Sequence, residues 1–201
     1  MPPLSLHMTA LEITHSLTAS EIEGLVTQLR PMIEQMTDYT FRHRSRLVKP
    51  KLSYDAQAIA LSFLPAAGEP PASPERLGTD GDRYTYHHLR RDLFTLAQST
   101  GVRVASRYVV PSAHLTIARF VTTEGFEMDG GRVDHESVAK LVEKIEEINR
   151  WLEAEYWPKE AEGSVKVGGE WIVGQEKGLE CRKGTLWYGS GGETVRLGKG
   201  F

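Results

Sequence analysis

Apolar positions recur at helical spacing in three segments of the chain. The first segment follows Thr18, which has the sequence of a capping box together with Glu21 three residues later. The other two segments cover residues 84–100 and 135–157, and in each the apolar positions fall on one side of a helix. This spacing predicts three amphipathic helices, and Pro31 is expected to kink or end the first of them.

Segments rich in β-branched and apolar residues lie between and after these helices. The strand candidates are residues 4–13, 39–44, 58–64, 102–110 and 113–120, with further short strands among the glycine turns near the end of the chain. Because strands and helices are mixed and many connections are short, the pattern predicts an α+β fold with antiparallel sheets. Residues 65–83 are rich in Pro, Gly and Ser, which predicts a flexible loop, either a disordered insertion or a lid.

Two of the predicted strands carry the same short motif. The segments LHMTALEI and SAHLTIARF each place a histidine and a threonine two positions apart inside an apolar run. Side chains at positions i and i+2 of a strand point to the same face, so His7 shares a face with Thr9, and His114 with Thr116. One such motif is more often a core or edge histidine. Two copies in matching contexts favour a shared site, provided that the strands lie side by side.

The residue types in the two motifs suit acid–base chemistry on a phosphate group. An unperturbed imidazole has a pKa of about 6.5, so one histidine of a pair can accept a proton while the other donates one. Two hydroxyl groups beside them can bind the non-bridging phosphate oxygens and stabilise the charge that shifts during the reaction. These groups are sufficient to break a phosphodiester without a metal ion.

The paired motifs HMT and HLT resemble those of the two-histidine phosphoesterase superfamily, which includes the LigT-like 2′-5′ RNA ligases and the 2′,3′-cyclic nucleotide phosphodiesterases. They are most similar to the RNA ligase/cyclic nucleotide phosphodiesterase-like proteins found in fungi. The resemblance implies a bilobal, pseudo-symmetric fold, with two small antiparallel sheets around a central cleft and helices outside. Residues 1–201 would then form a single LigT-like domain. Members of the family usually have a strand before the first motif, but only six residues precede His7. Either the chain is a fragment, or its start is misassigned, or this lobe is built short, and the family's first strand is expected to be lacking.

The resemblance also implies roles for individual residues. His7 and His114 would be the acid–base pair, with Thr9 and Thr116 holding the phosphate; which histidine is the base stays open. Arg119 matches a position where LigT-like members carry an arginine near the phosphate. Strict strand alternation would put Arg119 on the face opposite His114, so it reaches the site only if the strand ends or bulges there.

The expected activity is metal-independent hydrolysis of 2′,3′-cyclic phosphates of nucleotides or RNA ends. The alternatives are a 2′-5′ RNA ligase or an RNA 3′-end-trimming phosphodiesterase of the same superfamily, or a non-catalytic nucleotide- or RNA-binding module. No cofactor is expected, and no metal, because neither a His-x3-His pair nor a carboxylate triad accompanies the histidines. Tyr188, Trp187 and Tyr108 are candidates for stacking on a base.

The charge and composition of the chain limit the kinds of partner and the compartment that are expected. The chain of 201 residues has a net charge of -3, so no overall positive field attracts it to duplex DNA or a membrane surface. One basic stretch, residues 41–51, is either a solvated face or a phosphate-binding surface. The single cysteine, Cys181, excludes an intramolecular disulfide and a cysteine-based zinc site. Since the sequence shows no membrane-length apolar run and no signal peptide, a cytoplasmic or nuclear location is expected. The protein is also expected to be a monomer.

Overall fold

A computed structural model describes residues 6–71, 81–106, 112–128, 130–159, 166, 168–185 and 192–201. Within these ranges the helices are α1 (Ala19–Thr37), α2 (Tyr86–Ser99) and α3 (His135–Tyr156), with short 3-10 helices at Tyr39–Phe41 and Gly81–Arg83. The strands are β1 (Arg46–Tyr54), β2 (Ala58–Pro65), β3 (Ala113–Arg119), β4 (Glu127–Met128), β5 (Arg132–Val133), β6 (Glu170–Ile172), β7 (Glu180–Lys183) and β8 (Glu193–Leu197). The predicted α+β class with antiparallel sheets is confirmed.

A four-stranded antiparallel sheet with the order β3-β2-β1-β6 forms the centre of the structure. The segment that contains the first His-x-Thr motif joins this sheet at the free edge of β3, through an antiparallel bridge between Met8 and Leu115. Residues 4 and 5 of the predicted strand 4–13 lie outside the described residues, and in the described part the pairing is this bridge at Met8. Two separate two-stranded sheets consist of β4 with β5 and of β7 with β8.

One face of the central sheet packs against α2, and a second apolar cluster lies between α1 and α2. The buried residues of the first cluster include Leu47, Phe63, Leu89, Leu93 and Ala113. Those of the second are Val26, Leu29, Ile33, Ala97 and Val102, with Val195 of β8 packed against them. Leu11 packs against both clusters. The apolar stripes predicted for the first two helices therefore face the interior.

The predicted capping box of α1 is present, whereas the strand predicted at 39–44 is wrong. Thr18 and Glu21 exchange side-chain and backbone hydrogen bonds, and the helix continues past Pro31 to Thr37. After the helix, the rings of Tyr39 and His43 stack with their centroids 4.3 Å apart. Side chains four positions apart meet on a helical turn but not along a strand, so this contact favours the 3-10 helix observed here.

Helix α3 covers the edge of β1 beyond the end of β6. The side-chain oxygen of Asn149 accepts a hydrogen bond from the Leu52 amide at 2.7 Å, and its nitrogen donates to the Leu52 carbonyl at 3.1 Å. Asn149 thus forms hydrogen bonds with the backbone at the edge of β1, as a neighbouring strand would. The indole nitrogen of Trp157 donates to the Pro50 carbonyl at 2.9 Å. No helix within the described ranges combines the length and apolar character needed to cross a membrane.

Arg46 ties the flanks of the predicted loop 65–83 to the central sheet. Its guanidinium donates to Asp82 at 3.0 Å and to Glu170 at 2.8 Å, and it also donates to two backbone carbonyls on the near flank. Burial on its own would lower the pKa of Arg46, but the hydrogen bonds to the two carboxylates outweigh it and raise that pKa. Both flanks are therefore fixed to β1, while residues 72–80 lie outside the described residues.

Candidate active site

The middle residues of the two His-x-Thr motifs pair with each other in an antiparallel bridge. Met8 and Leu115 form this pair, and both are partly buried against the core cluster beneath the sheet. Because successive side chains on a strand alternate between faces, the histidines and threonines on either side lie on the opposite face. This face of the central sheet, which carries His114 and Thr116, is termed the motif face below.

The antiparallel register groups four polar side chains on the motif face. His7 lies opposite Thr116, and Thr9 lies opposite His114, one position to either side of the bridge. Opposed residues have Cβ atoms about 4.5–5.5 Å apart, and diagonal neighbours such as His7 and His114 about 7–8 Å apart. His7 is exposed and the other three are half-buried. Two imidazoles and two hydroxyl groups are therefore within reach of one phosphodiester.

The backbone of the first motif is held in place by α2. The hydroxyl of Tyr86 donates to the Thr9 carbonyl at 3.0 Å, and Arg90 donates to the Ala10 carbonyl at 2.8 Å. Tyr86 is fully buried, and its burial raises the pKa of the phenol, so the hydroxyl remains a hydrogen-bond donor. These two side chains reinforce the single bridge that aligns the first motif with β3.

A β-bulge brings Arg119 onto the motif face. The register between β2 and β3 shifts by one residue after Thr116, and Ile117 is the additional residue. Before the bulge Thr116 pairs with Ala60, and after it Arg119 pairs with Ala58. Because Ala58 and Ala60 share a face of β2, Arg119 lies on the same face as Thr116. The condition for Arg119 to reach the site, a bulge in the strand, is therefore met.

Asp55 lies close enough to Arg119 for their charges to interact. Hydrogen bonds from the backbone amides of Gln57 and Ala58 lower the pKa of Asp55, and the positive charge of Arg119 lowers it further. The carboxylate thus stays ionised and balances part of the guanidinium charge. A phosphate bound on the motif face would compete with Asp55 for Arg119.

Ser112 is a further residue of this site, one that the His-x-Thr motif does not indicate. Its hydroxyl oxygen lies 2.9 Å from Nδ1 of His114. A hydroxyl can either donate to or accept from that nitrogen, so this bond can form with both the neutral and the charged imidazole. The bond orients the ring. A serine two positions before a motif histidine is the sequence signal for this contact.

We expect Ser112→Ala to lower kcat for a cyclic phosphodiester by about 3–10-fold, the effect of losing one hydrogen bond worth about 1 kcal/mol. KM should change less, because the serine orients the ring and is not assigned a contact with the phosphate. Steady-state kinetics would measure both constants, and Ser112→Thr should restore kcat. A kcat equal to that of the wild type would show that Ser112 does not orient His114.

The proposed base-stacking residues lie outside the described part of the chain. Tyr188 and Trp187 belong to residues 186–191, and Tyr108 belongs to residues 107–111, and the structure describes neither stretch. Their prediction as stacking residues therefore stays a prediction.

Three cations of the basic stretch 41–51 make contacts with other parts of the protein. Arg46 makes the buried ion pairs described above, and the Lys49 ammonium bonds to Glu69 at 2.7 Å. The guanidinium of Arg44 lies over the Phe201 ring, 4.2 Å from its centroid. The stretch as a whole is therefore not one continuous phosphate-binding surface.

Comparisons with known proteins do not add to these observations. No protein-family model, no curated protein and no solved structure matches the chain. A functional assignment for this chain therefore depends on the two motifs, on their antiparallel pairing and on the bulge that orients Arg119.

Proposed function

We propose that this protein is a two-histidine phosphoesterase that hydrolyses 2′,3′-cyclic phosphates of nucleotides or RNA ends without a metal ion. The antiparallel pairing of Met8 with Leu115 is the observation that supports this most directly. It aligns two motifs from distant parts of the chain so that two imidazoles and two hydroxyl groups share one face. A site that only binds a nucleotide would not require a matched acid and base.

In the proposed reaction a water molecule attacks the phosphorus atom of the cyclic phosphate. The neutral histidine of the pair removes a proton from the water as the new P–O bond forms, and the bond from phosphorus to the 3′ oxygen breaks. The protonated histidine gives its proton to the departing 3′ oxygen. One water is consumed, the product has a 2′-phosphate and a 3′-hydroxyl, and proton exchange with solvent restores both rings.

The remaining polar groups would act on the charge of the phosphate. The hydroxyls of Thr9 and Thr116 would donate to the two non-bridging oxygens, where negative charge increases in the transition state. Arg119 would add a positive charge from the far side of the bulge. Either His7 or His114 can be the base in this arrangement, since the choice depends on the side on which the 3′ oxygen lies.

We also propose the two-lobed arrangement of the LigT-like enzymes for this chain. The presence of two apolar clusters supports it, one beneath the central sheet and one between α1, α2 and the β7–β8 sheet. The first-motif segment runs from one cluster to the other, since Met8 packs against the first and Ile13 against the second. The motif strands would then lie where the two lobes meet.

The test is an assay of the purified protein with 2′,3′-cyclic AMP and with an RNA oligonucleotide that ends in a 2′,3′-cyclic phosphate, both in excess EDTA. We expect turnover of at least one substrate and a bell-shaped dependence of the rate on pH. Turnover that appears only after a divalent cation is added would contradict the mechanism. Binding without turnover would identify a nucleotide-binding module, and joining of the cyclic phosphate to a 5′-hydroxyl RNA would identify a ligase.

A further inference from the structure

The motif face continues from His114 across β2 to β1. Ser62 of β2 pairs in register with His114 on one side and with Lys51 of β1 on the other. Residues paired in register share a face, so these three side chains form one row across the sheet. Two interstrand spacings, about 10 Å in all, separate the backbone of Lys51 from that of His114. Lys51 is exposed.

The residues of β2 between these two strands are small. Ala58, Ala60 and Ser62 point to the motif face from β2, and Ser53 of β1 pairs with Ala60. The hydroxyls of Ser53 and Ser62 lie 2.7 Å apart and bond to each other. Longer side chains stand on either side, the motif residues on β3 and Lys51 on β1. The small side chains of β2 therefore leave a shallow trough between the proposed catalytic groups and Lys51, and the exposed Leu64 follows Ser62 on the same face.

We propose that Lys51 binds a second phosphate of the substrate, so that the site is built for the cyclic-phosphate end of an RNA chain and not for a free mononucleotide. This inference rests on the proposed function. With the terminal cyclic phosphate between His7 and His114, the terminal nucleoside lies over the trough, and its 5′ phosphate extends toward β1. The ammonium group of a lysine on a long, flexible stem is suited to that phosphate as a point charge.

The neighbouring cations of the basic stretch are engaged differently. Arg46 and Lys49 bond to carboxylates, Arg46 to Asp82 and Glu170, and Lys49 to Glu69. A bulge in β1 after Val48 changes the face on which the following residues lie. Because of this bulge, Lys51 pairs with Ser62. A strand that continued without this bulge would place Lys51 on the core face.

The experiment compares kcat/KM for 2′,3′-cyclic AMP and for a short RNA that ends in a 2′,3′-cyclic phosphate. We expect Lys51→Ala to lower the value for the RNA about tenfold more than the value for the mononucleotide, as expected for the loss of one charge-assisted contact. Lys51→Arg should keep most of the preference for the RNA. The difference between wild type and Lys51→Ala should shrink as the salt concentration rises, because the contact is electrostatic.

Two controls separate this contact from general effects of charge. Lys140→Ala removes an exposed lysine of α3 that pairs with Glu136 at 2.7 Å, and it should not change the preference between the substrates. An RNA whose last internucleotide linkage is an uncharged methylphosphonate should be insensitive to Lys51→Ala. An equal loss for both substrates, or no loss for the RNA, would overturn the inference alone. If the wild type turned over neither substrate, the proposed function would fail, and the inference with it.

Discussion

We expect His7→Ala and His114→Ala each to lower kcat for 2′,3′-cyclic AMP by about 10²–10⁴-fold, the usual contribution of a positioned general acid or base. In the proposed reaction each histidine would carry one of the two proton transfers, and the two motif segments contain no third histidine to replace it. KM should change much less, because Thr9 and Thr116 would still bind the phosphate. Initial rates measured by chromatography of the 2′-phosphate product would give both constants.

His15→Ala is the matched control for these variants. His15 follows the first motif in the same segment, lies outside the motif, and has its Nδ1 3.1 Å from the Ser16 hydroxyl. Its replacement should leave kcat close to that of the wild type. The double variant of His7 and His114 should lose little more than the worse single variant, because an acid and a base that act together give non-additive losses. A single variant that keeps more than about a tenth of the wild-type kcat would contradict the mechanism.

Helices and strands that depend mainly on their own side chains could be predicted from the sequence. The exchange of hydrogen bonds between Thr18 and Glu21 is local, so the start of α1 follows from two residues three positions apart. The periodic apolar positions of α2 and α3 and the apolar segments of β2 and β3 gave the correct type of element in the same way. The shared face of each histidine and its threonine also follows from alternation within one strand.

Features set by distant partners could not be predicted. Alternation along a strand gives the face on which a side chain lies, but it does not identify the neighbouring strand. The pairing of Met8 with Leu115 therefore does not follow from the sequence. The bulge at Ile117 lies in a segment without Gly or Pro, the usual signals of an irregular strand. At Tyr39 the aromatic and β-branched composition favoured a strand, whereas stacking with His43 and a hydrogen bond to Asp92 favour a turn.

The contacts of buried polar side chains also could not be predicted from the sequence. Asn149 lies in the middle of an amphipathic helix, and its sequence context does not show that it pairs with the backbone of Leu52. Arg46 belongs to a basic stretch that resembles a solvated or phosphate-binding surface, yet its side chain is buried between two carboxylates from distant segments. Its role is therefore in stability, and this can be measured separately from activity.

Arg46→Met should lower the free energy of unfolding by about 3–5 kcal/mol, the cost of breaking a buried ion pair from one side. The side chains of Asp82 and Glu170 are only 7% and 1% exposed, so the loss of the guanidinium would leave two carboxylates without their buried cation. The hydrogen bonds that hold the loop flank would be lost as well. Urea unfolding followed by tryptophan fluorescence and far-UV circular dichroism would measure the change.

Two further variants test whether the charge, and not only the volume, of Arg46 is responsible. Lys140→Met breaks an exposed pair with Glu136 and should cost less than about 1 kcal/mol, because solvent screens both charges. Adding Glu170→Gln to Arg46→Met should recover part of the lost stability. The substitution removes one of the two negative charges that faced the guanidinium, and it nearly preserves the shape of the side chain. If Arg46→Met alone cost less than about 1 kcal/mol, or if the second substitution only added to the loss, packing by the arginine side chain would outweigh its ion pairs.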